Sequence, residues 1–225
     1  MSASQKLTDG LKELKFSEEQ ISSIAPKMDT YINEIILFNS AYNLTNTSDY
    51  DEIVINHILD SLSAWKNIQN LANQGQSKNP DNSIKIADIG SGGGLPGIPL
   101  AAALPEFNFT LVERMDKRCA FLENCAAILG LKNVTVLKKE AEKVPSQMFD
   151  IATFRAFRPL DKKMTQTLLN LIKPQGYLAA YKAKKSSIQE EMTAIADLVP
   201  NYDLQELTVP YLDNHERNLV LIQKA

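Results

Sequence analysis

Apolar positions fall into two periods along the chain, and the change from one to the other divides it. Up to about residue 68 they recur every three to four residues. Met28, Tyr31, Ile32, Ile35 and Phe38 share one helical face. Ser17 and Gln20 form a capping-box pattern ahead of that series. Asn39 to Ser48 is a polar break, rich in side chains that hydrogen-bond their own backbone. A further helix starts near Asp49 and carries Ile53, His57, Ile58, Leu62 and Trp65. Residues 69–83 contain Gly75 and Pro80 and show no apolar period, so they read as a polar linker loop.

From Ile84 short β-branched and aromatic runs alternate with helical patterns. Strands are expected at 84–89, 107–112, 134–137, 150–154 and 177–181, with helices to about Leu104, over 117–129 up to Gly130, over 161–172 and over 186–198. The last two runs, 202–209 and 218–222, have no helix between them and are expected to pair antiparallel. The pattern predicts an α/β chain with a mostly parallel seven-stranded sheet covered on both faces and closed by an antiparallel C-terminal hairpin. The division expected is an N-terminal helical cap (1–68), the linker (69–83) and an α/β core (84–225).

Composition narrows the classes. With 225 residues, 44% hydrophobic and 23% charged, the chain can bury a substantial core as one domain. No apolar run reaches the ~18 residues that span a bilayer, and the N-terminus lacks the apolar core of a signal peptide. A cytoplasmic protein without membrane partner is expected. Cys119 and Cys125 are the only cysteines, which leaves no disulfide framework or cysteine-rich metal site and suggests buried thiols. The formal charge of −3 argues against a generic nucleic-acid coat but allows a locally basic site.

The stretch Ile84–Gly97 carries the candidate chemistry. A strand ends in Asp88-Ile89 and passes into a loop with Gly90, Gly92, Gly93, Gly94 and Gly97, followed by an apolar helix. Strand, glycine turn and helix let the backbone approach a charged cofactor closely. Gly92, Gly94 and Gly97 satisfy the dinucleotide fingerprint, which would make the chain an NAD(P)-linked oxidoreductase. Read from Asp88, the same string resembles motif I of S-adenosylmethionine-dependent methyltransferases. Pro96 and Pro99 interrupt the helix start and weaken the dinucleotide reading. Asp88 favours the other, because an acid there meets the methionine amino group but would repel a pyrophosphate. A plain glycine turn is the third reading.

In an open α/β sheet ligands bind beyond the carboxyl ends of the strands. Those ends are Gly90, Glu113, Glu140-Ala141-Glu142, Arg155 and Lys182. An acid at Glu113 can accept ribose hydroxyls, which indicates a nucleoside without saying which. Phe154-Arg155-Ala156-Phe157-Arg158 sets arginines and aromatics at the fourth strand's mouth, suited to phosphate or guanine edges and to base stacking. Together with Arg114, Lys117, Arg118 and Lys182-Ala183-Lys184-Lys185 it offers a basic face. By spacing alone His57 reads as a packed helix histidine, and the charge runs as solvated faces.

From about Phe38 to Ile222 the chain closely resembles the RsmG family, also called glucose-inhibited division protein B. The resemblance rests on Phe38-Asn39-Ser40-Ala41-Tyr42-Asn43-Leu44-Thr45, on His57-Ile58-Leu59-Asp60-Ser61-Leu62 and on Asp88 to Leu100. Arg155-Ala156-Phe157 and Leu212 to Val220 add to it. It implies a Rossmann-like class I methyltransferase fold and transfer of a methyl group from S-adenosylmethionine to N7 of a guanine in 16S rRNA of the small ribosomal subunit. By motif, Gly90, Leu95, Ala141, Glu142 and Arg155 would line the cofactor site, beside Asp88, Gly92, Gly94 and Glu113. Asn43, His57, Arg158, Lys182 and Arg217 are the candidate RNA contacts. Guanine N7 carries a free lone pair at neutral pH, so no general base and no metal are expected. Arg155 is assigned to positioning, with Lys182 a second candidate at the reacting centre. Departures stand at Asn56, Glu140, Ala183, His215 and Asn218, and several remove positive charge. A protein of this fold that binds RNA without catalysis is therefore a further alternative. A monomer is expected.

Overall fold

The computed structural model describes residues 5–78, 83–156, 158–213 and 215–225. Phe157, Asn214 and the linker positions 79–82 lie outside the described residues, as do the first four residues of the expected cap.

The N-terminal helices are α1 (Gln5–Glu13) and α2 (Glu18–Tyr42). Ser17 caps α2 with the capping box expected: its hydroxyl accepts from the Gln20 amide, and the Gln20 side chain accepts from the Ser17 amide. Asp49 caps the next segment, α3 (Tyr50–Ile53), which widens into a π-helical turn over Val54–Leu59 and closes as α4 (Asp60–Leu62). Helix α5 then runs over Trp65–Lys78.

That last helix corrects the expected linker, since residues 69–78 are helical. Leu71 and Ala72 are buried, and a Cβ on Gly75 would sit 3.1 Å from Ile84 Cδ1, so a narrow apolar stripe docks the helix on the sheet. The stripe was invisible to periodicity because asparagines and glutamines fill the outer face. Nor is the helical region a separate appendage. Its side chains, from Leu7 to Ala72, share one core with Ile86, Phe109, Leu111, Ile151 and Tyr181 of the sheet.

The sheet strands are β1 (Lys85–Ile89), β2 (Asn108–Glu113), β3 (Val134–Lys138), β4 (Phe149–Arg155), β5 (Ile172–Lys182), β6 (Asp203–Glu206) and β7 (Asn218–Gln223). Their order is β3-β2-β1-β4-β5-β7-β6, parallel from β3 through β5, with β7 antiparallel to both its neighbours. Strand β5 begins at Ile172, earlier than its apolar pattern suggests, with an irregularity opposite Phe149–Ile151. Helices α6 (Gly97–Ala103) and α7 (Asp116–Ile128) belong to the face shared with the N-terminal helices. Helices α8 (Lys162–Leu171) and α9 (Lys185–Ala194) cover the other face, packing on Ala152, Phe154, Leu178 and Ala180. Cys119 and Cys125 are buried free thiols.

The strand order reverses between β1 and β4, and this switch point is where a crevice opens. Because β7 runs antiparallel, its first residue, Asn218, pairs with Lys182 at the last residue of β5. Chain segments far apart in sequence therefore meet at one rim.

Candidate functional site

The glycine loop is drawn onto the sheet by its own backbone. The Gly90 and Ser91 amides both donate to the Val112 carbonyl, and the Gly94 amide donates to Ser91 O at 2.8 Å. Gly94 has φ +95°, and a Cβ there would lie under 3 Å from Ile98, Tyr31 and Leu122. The Tyr31 hydroxyl donates to the Gly93 carbonyl, so α2 holds the loop from above.

Asp88 lies beneath the loop, 1% exposed. Its Oδ2 accepts from Ser91 Oγ at 2.7 Å and from the Gly97 amide at 3.0 Å, at the positive end of α6. Gly97 permits that approach, since a Cβ would meet Asp88 Oδ2 at 2.7 Å and Leu111 Cδ2 at 2.3 Å. Asp88 Oδ1 is buried without a hydrogen-bond partner among the described residues. Burial pushes the carboxyl pKa up to about 6, against the opposing pull of the Ser91 and Gly97 hydrogen bonds.

Two cavities open at this end of the sheet. The first, about 310 Å³, opens at the ends of β1, β2 and β3 and is lined by Gly90, Glu113, Ala141 and Glu142 among others. Glu113 is buried and bonded throughout: Oε1 accepts from the Arg114 and Met115 amides at 2.7 and 2.9 Å, and Oε2 from the Gly92 amide at 3.0 Å. Its carboxylate is thereby fixed in place with lone pairs to spare for further donors.

The second cavity, about 540 Å³, opens at the ends of β4, β5 and the start of β7. Its floor is an ion cluster centred on Asp60, which is 4% exposed. Arg155 Nη1 donates to Asp60 Oδ2 at 2.5 Å, and Arg217 Nε donates to Asp60 Oδ1 at 2.9 Å. Arg155 Nη1 also reaches the Asn56 carbonyl at 2.9 Å, and its Nη2 lies 3.1 Å from His57 Nδ1. The π-helical turn delivers Asn56 and His57, with Asp60 directly after it. Burial and then the Arg155 charge hold the His57 pKa down to about 4, against the attraction of Asp60. At neutral pH the imidazole is therefore uncharged. Arg158 lines both cavities and lies 3.8 Å from Glu142.

The family model described as "rRNA small subunit methyltransferase G" matches residues 24–220. The chain belongs to the rRNA small subunit methyltransferase G family. A Treponema denticola member is 42% identical, over 97% of this chain and 93% of its own. A Hydrogenovibrio crunogenus member is 39% identical, over 88% and 85%. Among solved structures, the human methyltransferase 10 domain containing protein shares the fold at 13% identity, with a TM-score of 0.58 over 88% of this chain and 97% of that one. The tRNA (m1A58) methyltransferase TrmI of Aquifex aeolicus aligns at 15% identity and a TM-score of 0.51, over 68% of each chain.

As a methyltransferase G the chain uses S-adenosylmethionine, and the dinucleotide reading of its glycine loop falls. The residues present fit that molecule. Glu113 is a fixed carboxylate for hydroxyl donors, small Ala141 stands beside it, and Asp88 Oδ1 is a buried acceptor that lacks a donor such as an ammonium. Among the described residues no group of three or more His, Cys, Asp or Glu side chains is placed to hold a metal. Among them, too, no helix is long and apolar enough to cross a membrane.

The two cavities divide the expected site residues. Gly90, Glu113, Ala141 and Glu142 meet at the first, and His57, Arg155, Lys182 and Arg217 at the second, with Arg158 common to both. Asp88, Gly92, Gly94, Leu95 and Asn43 line neither. Leu95 is buried in the core and Gly94 is packed against Tyr31. The Gly92 amide serves Glu113, and the Asn43 carbonyl accepts from Arg118 Nη2 at 2.8 Å. Lys182 is held by Glu191 at 2.5 Å and is largely buried, so its ammonium is tied to a neighbouring helix. Arg217 is likewise committed to Asp60. Sequence reasoning passed over Asp60, Tyr31 and Glu191. Asp60 stood in the quoted helix motif three residues after His57, and a buried acid between two arginines was the one signal that would have marked it.

Proposed function

We propose that this methyltransferase places a methyl group on N7 of a guanine in small-subunit rRNA. The observation that carries this reading is the state of the second cavity's bases. Its carboxylate, Asp60, is spent on Arg155 and Arg217, and the inner nitrogen of its imidazole is spent on Arg155. Neither is placed to take a proton from an acceptor. Guanine N7 has none to lose, so the cavity suits that nucleophile and disfavours an exocyclic amine or a hydroxyl.

When bound, S-adenosylmethionine supplies an activated methyl on a sulfonium. The chain's own residues then bind and align. Glu113 would hold the nucleoside end, and Asp88 Oδ1 would offer an acceptor toward the amino-acid end. Arg155 is fixed from below by three acceptors, which leaves its remaining N–H donors for the guanine O6 or an RNA phosphate. Aligning the two reactants supplies most of the rate advantage. The relatives' names include the small-subunit rRNA, and the excess of arginine over available carboxylate at the second cavity supports a polyanionic acceptor. The acceptor proposed is the small ribosomal subunit, met in the cytoplasm by a monomer.

The test is methyl transfer from S-adenosylmethionine to small subunits of a deletion strain, followed by mapping of N7-methylguanine. Incorporation at a guanine N7 that is unmodified in the deletion strain is expected. Incorporation at any other atom, or none, overturns the reading. Binding of RNA without incorporation would instead favour the non-catalytic alternative.

A further inference from the structure

Segment 43–48 follows α2 and is clamped by one buried side chain, Asn39. Asn39 Oδ1 accepts from the Leu44 and Thr45 amides, each at 2.9 Å. Its Nδ2 donates to Thr47 O at 2.9 Å and to Ser48 Oγ at 3.0 Å. The clamp grips both sides of Asn46 and leaves Asn46 itself projecting. Asn46 Oδ1 lies 3.3 Å from His57 Nε2.

The protonation of this chain of groups is determined by its far end. A guanidinium has only donors, so Arg155 Nη2 requires a lone pair on His57 Nδ1. A neutral imidazole accepting at Nδ1 carries its proton on Nε2 and needs an acceptor there. Asn46 presents its carbonyl oxygen, and a flipped amide would set donor against donor. Arg155 Nη1 is anchored by Asn56 O and Asp60, whereas His57 is the partner of Nη2.

We propose that Asn46 is a positioning residue for Arg155: it holds the His57 ring in the tautomer that Arg155 requires and so aims the Nη2 end of the guanidinium at the acceptor cavity. The proposal rests on the reading of that cavity as the acceptor site. The charged groups facing His57 are Arg155 from β4 and Asp60 from the next turn of its own segment, with Arg217 reached through Asp60. None of these changes when Asn46 is replaced.

The experiment compares Asn46→Asp and Asn46→Ala with the parent. A carboxylate facing Nε2–H favours the imidazolium and raises the His57 pKa from about 4 to about its ordinary 6.5 or above. Once charged, His57 carries a proton on Nδ1 as well, which opposes Arg155 and releases Nη2. With the pKa back at its ordinary value of about 6.5, kcat/KM of N46D relative to the parent is expected to fall about fourfold between about pH 8 and pH 6, chiefly in kcat. N46A leaves that proton to mobile water and the imidazole free to turn, so its kcat/KM is expected to lie below the parent's by a ratio that stays flat with pH. Binding of S-adenosylhomocysteine and the melting temperature at about pH 8 check that both variants are folded.

A readout independent of activity is the long-range proton–nitrogen NMR spectrum of the two histidines. His215→Asn assigns the signals. The parent is expected to show His57 as the Nε2–H tautomer, and N46D to show a raised pKa. An Nδ1–H tautomer in the parent, a flat N46D ratio, an equal acid limb in N46A, or parental kcat/KM in N46A each overturns the proposal. A parent that methylates no rRNA at any pH refutes the function proposed above, while the NMR arm still decides the role of Asn46.

Discussion

Asp60→Asn is the sharpest perturbation of the acceptor cavity. The substitution keeps volume and shape but removes the charge between Arg155 and Arg217, and it turns one N–H face toward a guanidinium. Breaking a buried ion pair by neutralising one partner costs about 3–5 kcal/mol. Here the arginine side chains are 15% and 24% exposed, and each can recover part of its hydration. A smaller loss, roughly 2–3 kcal/mol, is therefore expected, which for a chain of this length is a drop of about 5–10 °C in melting temperature. Activity should suffer more. Arg155 loses its 2.5 Å anchor, and a displacement of about 1 Å at a positioning group costs on the order of 100-fold in kcat/KM. Removing Arg217 as well leaves a single cation, so Asp60→Asn combined with Arg217→Met should be less than additive by about 1 kcal/mol or more. Denaturant titration and methyl incorporation measure the two effects. If D60N lost under about 0.5 kcal/mol and kept parental kcat/KM, Asp60 would not organise the site.

The glycine loop separates space from backbone conformation. Gly94→Ala meets three atoms under 3 Å at φ +95° and is expected to destabilise by roughly 3 kcal/mol, whereas Gly92→Ala, with nothing nearer than 3.8 Å, carries only the left-handed strain of about 1 kcal/mol; denaturant midpoints compare them. Asp88 predicts opposite pH trends. Its folded pKa of about 6 lies above the unfolded value, so the stability of the unliganded protein should fall as pH rises from about 4 through 6, by up to roughly 3 kcal/mol. Affinity for S-adenosylhomocysteine, whose ammonium favours the ionised carboxylate, should rise over the same window, and in Asp88→Asn both trends should vanish. Glu113→Gln turns an amide N–H against one of the backbone donors the carboxylate now accepts, and calorimetry should show S-adenosylhomocysteine binding weakened about tenfold or more.

The parts of the fold that could be read from the chain were those with a local cause. Ser17 and Gln20 cap α2 because capping needs only four consecutive residues, and the strand ends lie where apolar alternation stops. The same logic located Gly90, Glu113, Ala141 and Arg155 at cavity mouths. What stayed hidden depends on partners distant in sequence. Lys182 was correctly placed at the end of β5, but the carboxylate that holds it returns from α9. Asp88 falls at the strand end the chain indicates, yet its burial beneath the loop depends on the close approach of Gly97, which has no Cβ to hold it off. Helix α5 past residue 68 draws its stability from Ile84 and the central strands β4 and β5, which no window within the helix contains.

The π-helical turn sets a constraint on chain length. A π-turn is equivalent to an α-helix with one residue inserted, and each residue rotates an α-helix by about 100°. Upstream of it, α3 is pinned by Tyr50 to Asp29 at 2.6 Å and by Asp51 to Lys6 at 2.5 Å. Downstream, Asp60 is pinned by two arginines. Deleting any one residue from Val54–Leu59 would give a more regular helix, but its two ends would then face directions that cannot both be satisfied. The irregularity is thus a phase adjuster between a packing interface and a reaction site, and this segment should tolerate substitution far better than any change in its number of residues.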